Sequence, residues 1–222
     1  NPFYNPKEMP LGQVEALPFN YPDTKNAYDV SLKFWTSPLM ADHMAKEHGL
    51  KMLWTVPRGA YHIMMVKKPA IRTLEDMKGM KIRGAGGMNT KKLKLWGASP
   101  VTVSIREVYP ALQKGILDGV DLTMGSNITL KLVEVLNTLS IGSSGLLTSL
   151  YPISLKSFNK LSKEDQKILV EEGEKAYQML AEITVQQEKD GLKLLQDKGA
   201  DIITIDPAEL ARWKELAAPV RT

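Results

Sequence analysis

The chain has 222 residues, a net charge of +4 from 29 basic and 25 acidic side chains, and no cysteine. This length suffices for one large domain or two small lobes. The lack of cysteine excludes disulfides, zinc-thiolate sites and cysteine nucleophiles. No long basic block is present, which argues against nucleic-acid binding. A run of about 18 apolar residues is also missing, which argues against stable membrane insertion.

Strand and helix patterns alternate from residue 61 onward. The segments YHIMMVKK, MKIRGA, PVTVS, GVDLTM and LYPISLKSF each predict a strand. Helices are predicted over residues 88–96, from Ser104 to Gly115 and over NITLKLVEVLN. This alternation predicts an α/β fold with a largely parallel sheet and helices on both faces.

A long helix is predicted from Ser162 to about Lys198, with Ser162 as its N-cap. Its length, on the order of 50 Å, is large for a globular helix. Gly173 and Gly191 are positions where it would break or bend; an unbroken helix would have to cross more than one lobe.

The tail ADIITIDPAELARWKEL predicts a strand followed by a helix. Asp206 is expected to cap this helix, with Pro207 in its first turn and Glu209 completing a capping box. The first 60 residues are richer in proline and less regular, so no element is predicted there with equal clarity.

The segment DMKGMKIRGAGGMNT combines Arg83 with a glycine-rich turn. A dinucleotide fingerprint would need a glycine at Asn89, and a phosphate loop would need Gly-Lys-Ser/Thr, so neither motif is present. A buried arginine needs an anionic partner, because an unpaired buried charge costs several kcal/mol. The partner is either an internal acidic side chain or the carboxylate of a ligand. The position of Arg83 at the carboxyl end of a predicted strand favours the ligand.

Histidine and acidic residues supply the other candidates. His43 and His48 have poor spacing for a metal and indicate a surface helix, whereas His62 is either a ligand donor or a structural histidine. Asp118 and Asp121 could form a carboxylate pair, although Asp118 followed by glycine favours a turn. No hydrolase or metal-binding motif is present, so neither a metal nor a cofactor is expected.

Several segments in series resemble the substrate-binding proteins of tripartite ATP-independent periplasmic (TRAP) transporters, the DctP type. They are YNPKEMPLGQVEALPF, TLEDMKGMKIR, GASPVTVSIREVYPALQKGILDGVD and SFNKLSKEDQKILVEEGEKA. The resemblance implies an α/β, type II-like periplasmic-binding-protein clamshell with mixed sheets, hinge strands and a long helix crossing both lobes. It implies that residues 1–60 and 149–187 form lobe I, lacking its N-terminal part. Residues 61–148 and 188–222 would form lobe II and a C-terminal packing segment.

The same resemblance implies an extracytoplasmic receptor that captures a small organic acid anion and delivers it to TRAP membrane permease subunits. Arg83 matches the family motif K-[IL]-R and is implied to pair with the ligand's carboxylate. Further implied ligand contacts are His62 or Tyr61, Ile105, Leu122 and Met124, with Phe19 as a wall of the first lobe. Some family members carry asparagine or tryptophan where Leu122 and Met124 stand, so a more apolar pocket than the sialic acid type is expected.

A periplasmic location is expected, with the signal peptide removed or cropped. The protein is also expected to be a monomer without catalytic residues. Two alternatives stay open. One is a clamshell enzyme acting on an acidic small molecule, in which His62, Asp118 or Asp121 would be the acid or base. The other is the ligand-sensing domain of a signalling protein.

Overall fold

The computed structural model describes residues 11, 14, 17–19, 27–84, 86–142 and 145–221. These residues form two compact units. Unit 1 contains the described residues of Asn1–Tyr21, Gly59–Leu147 and Gln187–Thr222, and unit 2 those of Pro22–Arg58 and Thr148–Gln186. The described residues before position 22 therefore group with unit 1. The assignment of the chain to two lobes stays a prediction.

Unit 1 is built on a mixed sheet with the strand order β3-β2-β4-β1-β5-β7. The strands are β1 (Leu50–Met65), β2 (Ile82–Gly84), β3 (Val101–Thr102), β4 (Gly119–Thr123), β5 (Thr138–Ile141) and β7 (Asp201–Thr204). β2 is parallel to β3 and β4, and β5 is parallel to β7, but β1 runs antiparallel to both β4 and β5. The expectation of a largely parallel sheet was too simple, because alternation of elements does not fix the direction of a strand whose partners are distant in sequence.

Helices cover this sheet on both faces. They are α3 (Gly87–Leu95), α4 (Val108–Gln113), α5 (Met124–Thr129) and α8 (Pro207–Ala217), together with the last residues of the long helix α7 (Lys163–Asp197). One apolar cluster contains Ile63, Ile82, Trp96 and Trp213, and another contains Met64, Val120, Leu122 and Met124. Successive residues of a strand point to opposite sides, so these clusters lie on opposite faces, here termed the Trp213 face and the Val120 face.

The helix predicted over NITLKLVEVLN is interrupted. β4 ends at Thr123, whose side chain accepts a hydrogen bond from Ser126 N at 3.4 Å and so starts α5 at Met124. α5 ends at Thr129, and Lys131 adopts a left-handed backbone conformation with φ 56°. A separate 3₁₀ turn, Leu132–Glu134, follows. A left-handed residue cannot continue an α-helix, which explains the interruption.

Unit 2 contains α1 (Ala27–Thr36), α2 (Pro38–His48), the first part of β1, α6 (Leu155–Phe158) and β6 (Leu146–Ser154) from Thr148 onward. β6 pairs with β1. The predicted strand LYPISLKSF is right only in its first half. The Ser154 side chain accepts a hydrogen bond from Ser157 N at 3.4 Å, so the chain turns into α6 at Leu155. This serine cap competes with continuation of the strand.

The long helix α7 (Lys163–Asp197) is continuous and contributes residues to both units. Ser162 caps it as expected, since its Oγ accepts from Asp165 N at 3.0 Å. The two glycines mark close packing instead of breaks. A Cβ on Gly173 would lie 2.5 Å from Trp54 Cε3, and a Cβ on Gly191 would overlap Met124. None of the described helices combines the length and apolar character needed to cross a membrane.

The C-terminal strand and helix occur where the tail predicts them. Asp206 caps α8 by accepting a hydrogen bond from Ala208 N at 2.8 Å. Glu209 differs from the expected capping box, because its carboxylate accepts from Leu74 N at 2.7 Å and from Trp213 Nε1 at 2.9 Å. This buried carboxylate therefore ties α8 to the segment before β2.

Candidate functional site

Arg83 is the middle residue of β2, one residue before the carboxyl end of the strand, and 5% of its surface is exposed. β2 is flanked by two parallel partners, so that Arg83 faces Val101 on β3 and Val120 on β4. Its Nε donates a hydrogen bond to Val103 O at 3.3 Å. The backbone around the guanidinium is thus held on both sides by strands, which is a rigid setting for a binding group.

The glycine-rich turn after Arg83 brings α3 close to β2. Gly86 N donates to Thr90 Oγ1 at 3.0 Å. A Cβ on Gly84 would lie 2.6 Å from the same Thr90 Oγ1 and 3.2 Å from Pro100 Cβ. Gly86 has φ 87°, a conformation that favours glycine. The glycines therefore permit the approach of a helix to a strand, and no phosphate-loop geometry is needed to explain them.

Strand register groups several sequence-predicted residues with Arg83. Val120 is the partner of both Arg83 and Met64, and Leu122 is the partner of His62. Residues directly opposite each other share a sheet face, so Arg83, His62 and Leu122 all project from the Val120 face. Their common face is a geometric finding; the part each plays in binding stays a prediction.

Leu122 and Met124 are core residues in this structure. They are 3% and 1% exposed and belong to the apolar cluster of the Val120 face. Ile105 differs from them, because it is 40% exposed and follows two residues after Val103, the acceptor for Arg83. Of these three predicted apolar contacts, Ile105 is the one with surface available to another molecule.

Tyr61 and Phe19 lie apart from this group. Tyr61 is the strand partner of Thr123 and so belongs to the Trp213 face. The Phe19 ring lies 6.1 Å from the Trp96 ring in the apolar cluster of that same face, within unit 1. This packing gives no support to Phe19 as a wall of the first lobe, because burial of its ring against tryptophan already accounts for its position.

His62 has a carboxylate partner on α7. Its Nε2 lies 3.2 Å from Glu188 Oε2, with side-chain exposures of 8% and 32%. Among the described residues, the buried His62 Nδ1 has no hydrogen-bond partner. The sequence left this histidine open between a ligand donor and a structural role; the described contact engages one of its two nitrogens.

A buried ion pair on the Trp213 face was missed in the sequence. Lys92 Nζ lies 2.6 Å from Asp121 Oδ2, with side-chain exposures of 4% and 0%. Asn89 Nδ2 donates to the same oxygen at 2.7 Å. Asp121 does not form the considered pair with Asp118, whose carboxylate accepts from Lys81 N at 2.8 Å. An acidic residue within the apolar strand GVDLT was the available signal, but KKLKLW offers three lysines and no clear choice among them.

Comparison with known proteins identifies the class of protein to which this fold belongs. A TRAP periplasmic solute-binding protein from Sulfitobacter sp. NAS-14.1, solved with bound β-D-galacturonate, superposes with a TM-score of 0.87 at 22% identity, covering 97% of this chain and 71% of that one. The fold is thus that of a periplasmic solute-binding protein. Residues 3–222 match the family model DctP, bacterial extracellular solute-binding protein family 7, and the chain belongs to this family.

Curated relatives are similar over most of this chain but are longer. A solute-binding protein of Albidiferax ferrireducens is 26% identical over 197 residues, which cover 86% of this chain and 57% of the relative. The 2,3-diketo-L-gulonate-binding periplasmic protein YiaO of Escherichia coli K12 is also 26% identical, over 88% of this chain and 59% of its own length. The chain therefore spans about six tenths of these relatives.

Proposed function

We propose that this chain is the solute-binding component of a TRAP-type transporter and binds a small organic acid through Arg83. One observation carries the proposal: in a DctP-family chain, a buried arginine lies one residue before the carboxyl end of a strand held between two parallel partners. Ligands of open α/β sheets bind beyond the carboxyl ends of strands.

The contacts of Arg83 suit a carboxylate. The bond from Nε to Val103 O orients the planar guanidinium. A guanidinium can bind both oxygens of a carboxylate in parallel, and this contact is strengthened when water is excluded. Asp121 is a poor internal partner for Arg83, since it lies on the other face of the sheet and is bound by Lys92 and Asn89.

The ligand class follows from the related proteins and from the side chains near Arg83. Galacturonate and 2,3-diketo-L-gulonate, named for two similar proteins, are both carboxylates. Ile105, the predicted apolar contact with exposed surface, favours an apolar ligand body, as found in short aliphatic or aromatic acids, including 2-oxo and 2-hydroxy acids. We further propose that the protein is a monomeric, non-catalytic receptor in the periplasm. It would release its ligand to TRAP permease subunits.

A thermal-shift panel on the full-length protein tests this function. The protein is first unfolded and refolded to remove bound solutes, then mixed with galacturonate, short aliphatic acids, aromatic acids and sialic acid. An acid at 100 times its dissociation constant adds about 2.7 kcal/mol of stability. We expect one class of acid to raise the melting temperature by several degrees, and Arg83→Ala to abolish this shift.

Arg106→Ala is the matched control, because this exposed arginine adjoins Ile105 and its removal should leave the shift unchanged. Failure of every acid to shift the wild-type protein would contradict the receptor proposal. A shift retained in full by Arg83→Ala would contradict the assigned anchor. Strong binding of sialic acid would instead overturn the expected apolar character of the pocket.

A further inference from the structure

The helix that follows the Arg83 turn has few ordinary anchors. α3 has no side-chain N-cap and no acidic residue in its first turn. Its buried residues are Lys92 and Leu93, so one of the two carries a charge. A helix of 9 residues is too short to be stable by itself. Leu93 packs into the apolar cluster of the Trp213 face, and the polar contacts of α3 add to this packing.

The ion pair of Lys92 with Asp121 supplies such a contact. The Lys92 ammonium lies 2.6 Å from Asp121 Oδ2 and also 5.0 Å and 5.3 Å from the ring centres of Trp96 and Tyr61. Asn89, one helical turn earlier, donates to the same carboxylate oxygen at 2.7 Å. Two side chains of α3 thus converge on one carboxylate of β4.

The location of this carboxylate links the pair to the anchor. Asp121 follows Val120, the strand partner of Arg83. On the other side of the turn, Thr90 of α3 accepts from Gly86 N and packs where a Cβ of Gly84 would be. The turn that follows Arg83 is therefore held between a strand and a helix that the Lys92–Asp121 pair connects.

Stability alone gives little reason for a charged pair at this place. Two buried charges lose hydration, and apolar residues of similar volume often give an equally or more stable protein. What an ion pair with a shared hydrogen bond does supply is a defined geometry between two elements. We propose that Lys92 and Asp121 are positioning residues, which fix α3 and the turn before it so that Arg83 can bind a carboxylate. This inference rests on the proposed function.

The test compares the double variant Lys92→Met with Asp121→Leu against each single variant. Either single change removes one charge of the buried pair and leaves the other buried charge without it, which should lower the melting temperature. The double change should recover most of that loss. Even so, we expect amide hydrogen exchange at residues 86–90, measured without any added acid, to be at least tenfold faster than in the wild-type protein. The dissociation constant of each acid that binds in the panel should rise at least tenfold.

Two further variants make the test decisive if the double variant does not fold. Asn89→Ala removes one donor but keeps the ion pair, and we expect a smaller change of the same sign in exchange and affinity. Arg72→Met removes an ion pair with Asp201 that lies 3.1 Å apart in the same unit, and it should change neither measurement.

The outcomes separate the two proposals. Unchanged exchange at residues 86–90, or unchanged affinity, in a folded variant lacking the pair or the Asn89 donor would overturn the positioning role. Absence of any acid binding by the wild-type protein would refute the receptor function and with it the purpose given to the pair. In that case faster exchange would still show that the pair holds the turn, so the two failures would be distinguishable.

Discussion

Arg83 of β2 and Val120 of β4 are partners in a parallel register, and Val120 is also the partner of Met64 on β1. The buried arginine is thereby built into a three-strand arrangement and not into a loop alone. Groups on strands are held more precisely than groups on loops, which suits a site that must match the two oxygens of a carboxylate. Changes that separate these strands should therefore disturb both folding and binding.

Gly119→Ala tests this strand arrangement. Gly119 lies opposite Met65, and a Cβ there would overlap the backbone oxygen of Met64. Because a backbone atom cannot move aside cheaply, we expect a loss of about 2 kcal/mol or more in the free energy of unfolding. Urea denaturation measures it. Gly79→Asn is the control, since its added Cβ would meet nothing within 4 Å and asparagine tolerates the positive φ of 75°. Equal stability of the wild-type protein and Gly119→Ala would contradict the described packing of β1 against β4.

Gly173→Ala has two opposite effects in unit 2: it raises helix propensity and it disturbs packing. Alanine is favoured over glycine in a helix by about 1 kcal/mol. The new Cβ would lie 2.5 Å from Trp54 Cε3, and overpacking costs about 1–3 kcal/mol. We expect a net loss of about 1 kcal/mol, relieved when Trp54→Leu is combined with it. A stabilised Gly173→Ala single variant in thermal unfolding would show that Trp54 does not pack there.

Tyr177→Phe removes one buried hydrogen bond of unit 2. The Tyr177 hydroxyl donates to Asp29 Oδ1 at 2.6 Å, and the residue is 2% exposed. Burial, and then the bond to Asp29, raises the pKa of Tyr177. We expect a loss of about 1 kcal/mol in unfolding free energy at neutral pH. Since a raised folded pKa favours the protonated hydroxyl, this difference should shrink above pH 10, the usual pKa of tyrosine. A difference that is independent of pH would contradict the assignment.

Glu75→Gln should change the stability of unit 1 mainly above pH 5. The hydrogen bond from Arg212 lowers the pKa of Glu75 from 4.5 to about 2, and Arg212 Nη2 lies 2.7 Å from Glu75 Oε1. A lowered folded pKa gives stability that is present above the unfolded pKa and is lost as pH falls from about 5 to 2. The melting temperatures of the wild-type protein and Glu75→Gln should therefore converge on acidification.

Salt and a second variant check the origin of that effect. Both side chains are partly exposed, so added salt should reduce the difference at neutral pH. Glu174→Gln, an exposed change on α7, is the control. A constant difference between the wild-type protein and Glu75→Gln from pH 7 to pH 2 would show that the carboxylate charge is not responsible.

Local patterns predicted the elements that depend on local chemistry. The buried strand around Arg83, the Ser162 cap of α7 and the Asp206 cap of α8 all follow from the residues within a few positions of them. The failures arose where distant contacts decide. The position of Glu209 is set in part by Leu74, which is distant in sequence. The sequence left the continuity of α7 at Gly173 open, and there the helix packs closely on Trp54.

The candidate site was predicted in the same unequal way. Arg83 could be singled out because a lone charge in an apolar strand needs an explanation. The shared face of Arg83 and His62 could not, since it depends on the register of β1 with β4, which are far apart in sequence. The pairing of Asp121 with Lys92 was missed for the same reason, because only the packing of α3 on the sheet shows which lysine meets the carboxylate.

The most direct test removes the charge on each side of the proposed contact in turn, first from the ligand and then from the protein. The acid with the largest thermal shift and its neutral carboxamide are titrated calorimetrically into the wild-type protein and Arg83→Ala. We predict that the wild-type protein prefers the acid at least tenfold, about 1.4 kcal/mol, and that Arg83→Ala binds both compounds weakly and without preference. Retention of the full preference for the acid in Arg83→Ala would contradict the central claim that Arg83 binds the carboxylate.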